Sequence, residues 1–481
     1  MNLKYNLFTL FIIFLWSCNN QKEEVSMAGI KPNIIFILAD DLGYGDLGIT
    51  GQTKIETPNL DKLAKEGMLF TNHYSGSTVC APSRSALLTG LHTGHTPVRG
   101  NFEVVPEGQY PLPDTLLTIP KAMKNAGYAT GAFGKWGLGF VGTSGDPNNQ
   151  GFDQFFGYNC QRYAHRYYPE YLWGNDQKVY LQGNDWTNKE TYAPEIIHLK
   201  SLEFLENNKD QPFFMFVPMV IPHAELAVAE DDVFQKYRNK FGEEKEHIAP
   251  QGGDYGPDMK IPGYQSVKYP RATYAAMVEN LDRQVGEIIE KLEELGIREN
   301  TIIAFASDNG PHQEGGNDPD FFNSNREYRG YKRDLYEGGI KTSLIVNWPG
   351  KIKAGSISDH ISAFWDLLPT FAELTGEKIV ENLDGISFVP TLLGKPGQMQ
   401  HDYLYWEFIE QGGKQAIRKG AWKAVRLNLK KDANPPIELY NLDEDPAESN
   451  NIADLHPDIV LEMSKLFEEA HIPNPEFKLF E

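Results

Sequence analysis

Two adjacent carboxylates, Asp40 and Asp41, follow the apolar run NIIFILA (33–39), and an acid–amide pair, Asp308-Asn309, follows TIIAFA (301–306). All four side chains offer oxygen, a donor set that suits a hard divalent ion such as Ca2+ more than Zn2+. Adjacent carboxylates that meet a third in a partly buried cleft repel strongly without a cation. An Asx turn or helix cap at each strand end is the plainer explanation; it covers one pair easily and both less well. Lys135 comes just after the strand-like Tyr128–Phe133, and His223 after Phe213–Val217. Each residue alone reads as part of a solvated loop. Their coincidence at four strand ends matters, because open α/β sheets bind ligands beyond the carboxyl ends of their strands.

The segment Cys80-Ala81-Pro82-Ser83-Arg84 opens a second constellation, which runs to Gly90. Pro82 sits where a first helical turn begins and Gly90 where the helix stops. Cys80 is thereby placed at a helix N-terminus, where backbone N–H groups and the dipole favour an anion. Arg84, one turn on, can return its guanidinium to the same end and grip an oxyanion bidentately. By itself the spacing describes a thiol nucleophile of low pKa. A small buried cysteine packing a helix start is the alternative, and it leaves Arg84 unexplained.

Apolar runs alternate with helical patterns along most of the chain. Helices are predicted over Pro58–Gly67, Thr115–Ala126, Tyr274–Leu295 (stopped by Gly296) and Trp365–Leu374, and strands over the four runs above and Leu344–Asn347. Such alternation means an α/β sheet sandwiched between helices. From about His401 the pattern changes to the short segments Tyr403–Phe408, Gln415–Arg418 and Trp422–Leu427, then a helix near Asp458–Glu469. This reads as a smaller C-terminal α+β subdomain with an antiparallel sheet. The division expected is a main domain over 30–395 and the subdomain over 396–481.

The chain has 481 residues, 41% hydrophobic and 12% aromatic, enough for a large core and incompatible with general disorder. With 45 Lys+Arg against 66 Asp+Glu the net charge is −21, which argues against nucleic-acid binding. An anionic substrate would need a local cationic pocket in a repelling field. Three cysteines make neither a disulfide framework nor a zinc cluster.

At the N-terminus, Lys4 precedes an apolar run from Leu7 to Trp16, too short to span a membrane and read as a secretory signal over residues 1–18. The sequence Leu15-Trp16-Ser17-Cys18 resembles a bacterial lipoprotein cleavage box, with Trp16 bulkier than is usual there. Cys18 would then carry the lipid, residues 19–29 would form a polar tether, and Lys22-Glu23-Glu24 is similar to export signals of some Gram-negative surface lipoproteins. A simple signal peptide cut nearby is the alternative. Both take the protein out of the cytoplasm, to the periplasm or the outer membrane and cell surface. Cys80 and Cys160 would pair by default in such a compartment, although the surroundings of Cys80 point to another use.

Residues 80–90 match C-x-P-S-R-x-x-x-L-T-G at every fixed position and resemble the signature of the type I sulfatases, in the alkaline phosphatase superfamily. The resemblance extends over ILADDLGYGDLG (37–48), TPNLDKLAKEGMLFTNHY (57–74), GYATGAFGKWGLG (127–139), SDNG (307–310) and YEGGIKTSLIVNWPG (336–350). It implies an alkaline phosphatase-like α/β fold with a large mixed sheet. It also implies that a maturation enzyme oxidises Cys80 to Cα-formylglycine, whose hydrate is the nucleophile, and that Cys160 stays a free core cysteine. Asp40, Asp41, Asp308, Asn309 and residue 80 match the family's Ca2+ ligands. Arg84 matches the arginine that holds the hydrate, Lys135 and Lys332 the two sulfate-contacting lysines, and His223 the histidine that protonates the leaving oxygen. Many members read GKWHLG, with a histidine acting on the formylglycine hydroxyl, whereas this chain has Gly137. His73, His92, His95 and His312 are the candidates to replace it.

The segment GYNCQRYAHRYYPEYLW (157–173) carries Arg162, His165, Arg166 and six aromatics, a mixture suited to stacking on sugar faces; an aromatic core loop is the alternative reading. These three residues and His312 are the candidate substrate contacts. A sulfated glycan is the expected substrate, with a galactose or N-acetylgalactosamine 4-sulfate in view. The competing functions are phosphate or phosphonate monoester hydrolysis on the same architecture, and a non-catalytic glycan-binding surface lipoprotein, motivated by Gly137.

Overall fold

The computed structural model describes residues 31–250, 252–255, 263–379 and 382–480. Residues 1–29, which carry the export and lipidation expectations, lie outside the described residues. Among the described residues no helix is long and apolar enough to cross a membrane.

Strand β1 (Asn33–Ala39) is buried along its whole length because it has a parallel neighbour on each side. The others of the large sheet are β2 (Met68–Tyr74), β3 (Ala129–Lys135), β4 (Gln154–Tyr158), β5 (Tyr171–Gly174), β6 (Gln177–Tyr180), β7 (Phe213–Pro218), β8 (Thr301–Ser307), β9 (Lys341–Asn347), β10 (Ser356–Ser358) and the short β11 (Ser362–Ala363). Their order is β10-β2-β9-β8-β1-β7-β3-β4-β5-β6, with β11 beside β2. Strands β8, β1, β7, β3 and β4 are mutually parallel, whereas β9 runs antiparallel to β8 and β5 antiparallel to β4. The sheet is therefore mixed, and its parallel centre delivers residues 40–41, 308–309, 135, 159 and the segment leading to 223 to one edge.

Helices α1 (Pro58–Lys65), α2 (Cys80–Thr89), α3 (Ile119–Asn125), α4 (Ala193–Asn208), α5 (Asp232–Phe241) and α6 (Pro270–Glu294) precede β8 and β9 in the chain. The Asp282 carboxylate of α6 caps α1 by accepting from the Leu60 and Asn59 N–H groups at 2.7 and 3.0 Å. Helix α2 is buried at every position and ends at Gly90 in the left-handed region, φ 70°. Expected helix 115–126 begins only at Ile119: Thr118 is extended, and Pro120 lies in the first turn, where it restricts what precedes it. The short strands β2, β4 and the β5–β6 hairpin were not anticipated; β2 carries a register irregularity between Phe70 and His73 that breaks its alternation.

The C-terminal region forms a separate antiparallel sheet of β12 (Leu404–Phe408), β13 (Lys414–Lys419), β14 (Trp422–Leu427) and β15 (Glu438–Asn441), with a helix over Pro457–Glu469. It meets the large sheet through a buried charge cluster. Lys423 lies 2.8 Å from Glu337 and 3.5 Å from Glu448, and Tyr74 Oη donates to Glu337 at 2.5 Å while accepting from Arg418. Burial would raise Glu337, but Lys423, Lys341 and Arg418 hold its pKa at about 2.

Candidate active site

At the carboxyl end of β1, Asp41 takes a left-handed φ of 64°, and its N–H donates to Asp308 Oδ1 at 3.1 Å. The ends of β1 and β8 are thus tied together. Gly310 lets the β8 end pass the Glu337-Gly338-Gly339 turn, since a Cβ there would lie 2.0 Å from the Gly338 carbonyl. Helix α2 enters over these ends. Ser83 Oγ donates to the Asp308 carbonyl at 2.5 Å, and Arg84 Nη2 lies 2.9 Å from Asp308 Oδ2 and 3.5 Å from Asp40 Oδ1. Arg84 also donates to the Lys135 carbonyl, so one guanidinium joins α2, β8, β1 and β3.

Lys135 Nζ lies 2.6 Å from Asp40 Oδ2 and 3.4 Å from Cys80 Sγ, and Cys80 Sγ lies 3.4 Å from Asp40 Oδ1. On the other side of the cleft Lys332 Nζ donates to Asp41 Oδ2 at 2.8 Å and to His223 Nε2 at 2.9 Å. His223 Nδ1 contacts the Ala224 carbonyl, which places the ring hydrogen on Nδ1 and leaves Nε2 as the acceptor. Ligating atoms of Asp40, Asp41, Cys80 and His223 fall within 4.8 Å of one another. The structure thus brings together Asp40, Asp41, Cys80, Arg84, Lys135, His223, Asp308, Asn309 and Lys332.

Burial pushes the Cys80 thiol well above its usual range, and Asp40 pushes it further. The low-pKa thiolate suggested by the helix N-terminus is therefore corrected: desolvation and the neighbouring carboxylate outweigh the helix end and Lys135. Burial and the nearby Asp40 carry Asp308 up to about 7 despite Arg84. At Asp41 burial is outweighed by Lys332, His312 and Lys135, and the pKa falls to about 2. Burial, Lys332 and Lys135 keep His223 well below the ordinary histidine range, hence neutral.

A divalent ion fits this donor set. Asn309 donates its amide hydrogens to Asp41 Oδ1 at 2.7 Å and to the Gly310 carbonyl, while its Oδ1 is buried with no protein partner. Three carboxylates (Asp40, Asp41, Asp308) face three cations (Arg84, Lys135, Lys332). An added divalent ion leaves the pocket cationic, as an anionic ester requires in a chain of net charge −21.

The remaining expected contacts divide. His165 stacks on His223, ring centroids 5.0 Å apart, and keeps a buried Nδ1 without partner. His312 also stacks on His223, at 5.6 Å, with Nε2 on the Pro222 carbonyl and Nδ1 accepting from Glu314 N–H, so both its nitrogens are engaged. Arg162 is partly exposed and pairs with Glu103 at 3.3 Å. Arg166, expected at the substrate, is instead fully buried in an ion pair with Glu225 at 2.9 Å and donates to the Gly253 carbonyl; it braces the loop. His73 on β2 is engaged by Ser362 of β11, and His92 and His95 gather around Asp384, so neither place supplies an imidazole to Gly137. Glu314 was missed: it lies 3.4 Å from Lys332 and pairs with Arg333, and its place shortly after Asp308-Asn309 was the available signal. Cys80 and Cys160 are both free.

A pocket of this kind, with cations gathered around a helix start at the carboxyl edge of an α/β sheet, suits an anionic ester. Residues 32–377 match the sulfatase family model, and residues 327–471 match the model described as N-sulphoglucosamine sulphohydrolase, C-terminal. The chain belongs to the sulfatase family and is a sulfuric ester hydrolase of sulfated carbohydrate. It is 32% identical to an N-acetylgalactosamine-6-O-sulfatase of Bacteroides thetaiotaomicron, over 95% of this chain and 97% of that one. Among solved structures it is similar to Ps i-CgsB in complex with k-i-k-neocarrahexaose, with a TM-score of 0.73, 28% identity and coverage of 91% and 92% of the two chains. A Bacteroides thetaiotaomicron sulfatase (BT33336S-sulf) from work on glycosaminoglycan metabolism gives a TM-score of 0.73, 27% identity and coverage of 92% and 99%.

Proposed function

We propose that this enzyme removes a sulfate from a galacto-configured sugar of a glycan, using residue 80 as Cα-formylglycine and Ca2+ held by Asp40, Asp41, Asp308 and Asn309. The arrangement of Cys80 between Asp40 and Lys135, beneath the Arg84 grip, supports this reading most directly. The expected 4-sulfate has no counterpart in the Bacteroides relative, whose name places the sulfate on O6; a 6-sulfate is the better proposal for this chain. Sulfate release measured by ion chromatography on 6- and 4-sulfated galactose and N-acetylgalactosamine tests it, and faster release from the 4-sulfates would reverse it.

The matured residue would supply an oxygen nucleophile and, on the same carbon, a second oxygen. Arg84, Lys135 and Lys332 neutralise the sulfate oxygens, a contribution of roughly several kcal/mol in a water-poor pocket. His223 serves the leaving oxygen. It is neutral in the free site because burial and then two lysines disfavour its proton, and an arriving sulfate ester anion offsets the lysine repulsion. His223→Ala is therefore expected to lower kcat by about 10²–10⁴-fold for a sugar sulfate, and far less for nitrophenyl sulfate, whose phenolate departs without a proton. Equal losses on both substrates would remove His223 from this role.

Chelation with EGTA is expected to abolish activity and lower the melting temperature, both restored by Ca2+ and not by Zn2+. Saturation at about 100 Kd corresponds to about 2.7 kcal/mol of stabilisation. A melting temperature indifferent to Ca2+ would count against the ligand set. The proposal includes maturation of Cys80 by a formylglycine-generating enzyme, and export as a lipoprotein anchored at Cys18, for which metabolic palmitate labelling lost in Cys18→Ala is the check.

A further inference from the structure

Gly137 leaves a space that another residue fills. A Cβ built at position 137 would lie 2.4 Å from Gln161 Nε2 and 2.8 Å from its Cγ, and the glycine itself has a φ of +81°. Gln161 is 5% exposed, and its Nε2 has no hydrogen-bond partner. Two residues earlier Asn159 is 0% exposed and unpartnered at both Oδ1 and Nδ2. A buried amide left unpaired is costly, so two neighbouring ones are a poor outcome for side chains that merely pack. They read as donors awaiting a ligand.

Their place in the fold says which ligand. Strand β4 is the parallel neighbour of β3, with Tyr158 opposite Lys135, so Asn159 leaves the sheet at the same edge as the lysine. The Gly137 N–H donates to the Asn159 carbonyl at 3.1 Å, and the Gln161 N–H is fixed by Gln109 Oε1 at 2.7 Å. At the far end of this short segment His165 stacks on His223. The stretch 159–165 therefore runs from beside the strand end that carries Lys135 to the ring that stacks on His223.

We infer that Gln161 and Asn159 are positioning residues for the anionic ester: their amide NH2 groups donate hydrogen bonds to the sulfate oxygens, on the side of the pocket that Gly137 opens. A carboxamide takes no proton near neutral pH, so this pair orients the ester and does not replace a base. The inference rests on the sulfate-ester reading of the site and adds specificity residues to it. It also explains why a side chain is not accommodated at 137, since any Cβ there would displace the Gln161 amide.

The test uses inorganic sulfate as the probe and the Ca2+-loaded, full-length Cys80→Ala protein as parent, so that calorimetric binding is read apart from turnover. Gln161→Leu is expected to weaken sulfate by about 10-fold, and the near-isosteric Gln161→Glu by about 100-fold, through lost donation and then added repulsion. Melting temperature reports whether each variant remains folded. In the otherwise unmutated enzyme the same two changes should raise KM for the sugar sulfate more than they lower kcat. A parent that binds sulfate, with both variants within twofold of it, would overturn the inference and leave the sulfatase reading intact; only a buried water would then occupy the amides. A parent that binds no sulfate, in an enzyme that releases none from any sulfated sugar, would overturn both.

Discussion

In Cys80→Ser, release of the desulfated sugar is expected to stop at one equivalent per enzyme with no free sulfate appearing, a loss of steady-state turnover of about 10⁴-fold or more. The pocket around residue 80 does not depend on sulfur. Asp40, Arg84, Lys135 and Asp308 are held by one another, through contacts of 2.6 Å between Lys135 and Asp40 and 2.9 Å between Arg84 and Asp308. A serine hydroxyl can still attack the sulfur of a bound ester and become O-sulfated, releasing the sugar alcohol. It then carries one oxygen on that carbon where the proposed matured residue would carry two, so nothing internal expels the sulfate. The Ca2+-dependent rise in melting temperature should persist in the variant and report an intact pocket. Purified serine variant that releases many equivalents of sulfate would refute the proposed chemistry, and peptide mass mapping of the unmutated enzyme should find an aldehyde rather than a thiol at residue 80.

The second large effect concerns stability. Lys423→Met is expected to destabilise the protein by about 3–5 kcal/mol, the cost typical of removing one partner from a buried ionic cluster. Lys423 is fully buried between Glu337 at 2.8 Å and Glu448 at 3.5 Å. Methionine nearly matches its volume, so packing changes little and the loss is electrostatic: two carboxylates remain in a dry interface. Burial with Glu337 nearby already lifts Glu448 to about 7 even with the lysine present. Adding Glu448→Gln to Lys423→Met should therefore recover part of the loss, because it removes the Glu448 charge while Glu337 keeps Lys341 and Arg418 nearby. Urea unfolding at neutral pH measures both; a single variant within about 1 kcal/mol of the parent would show the cluster to be dispensable.

Strands buried on both faces were readable because Asn33–Ala39 and Thr301–Ser307 are uninterrupted apolar runs, and the polar residues after them announced a ligand edge. The Cys80–Gly90 helix was readable from its proline and its terminal glycine. Partner choice was not. Arg84 meets Asp308 across 224 residues of sequence, and Arg166, beside His165 in the chain, faces Glu225 in the core instead of the pocket. Adjacent residues with similar side chains can point to opposite sides of a loop, and composition carries no trace of that. Strand β4 was missed because QFFGY is short and carries no alternating pattern, and with it went the two amides that follow. A resemblance supplies residues at matched positions; it does not show what moves into the space where the match fails.

The depth of residue 80 imposes an order of events. Its side chain is 2% exposed, and helix α2 is covered at every position. No second enzyme can reach that sulfur once the helix has docked against the strand ends. On the proposed chemistry, oxidation must then precede closure, on a chain still extended along residues 80–84. Material that folds before it is matured would be stable, correctly shaped and permanently idle. Yield of soluble protein would say nothing about yield of working enzyme, and recovering the lost fraction would require unfolding it first.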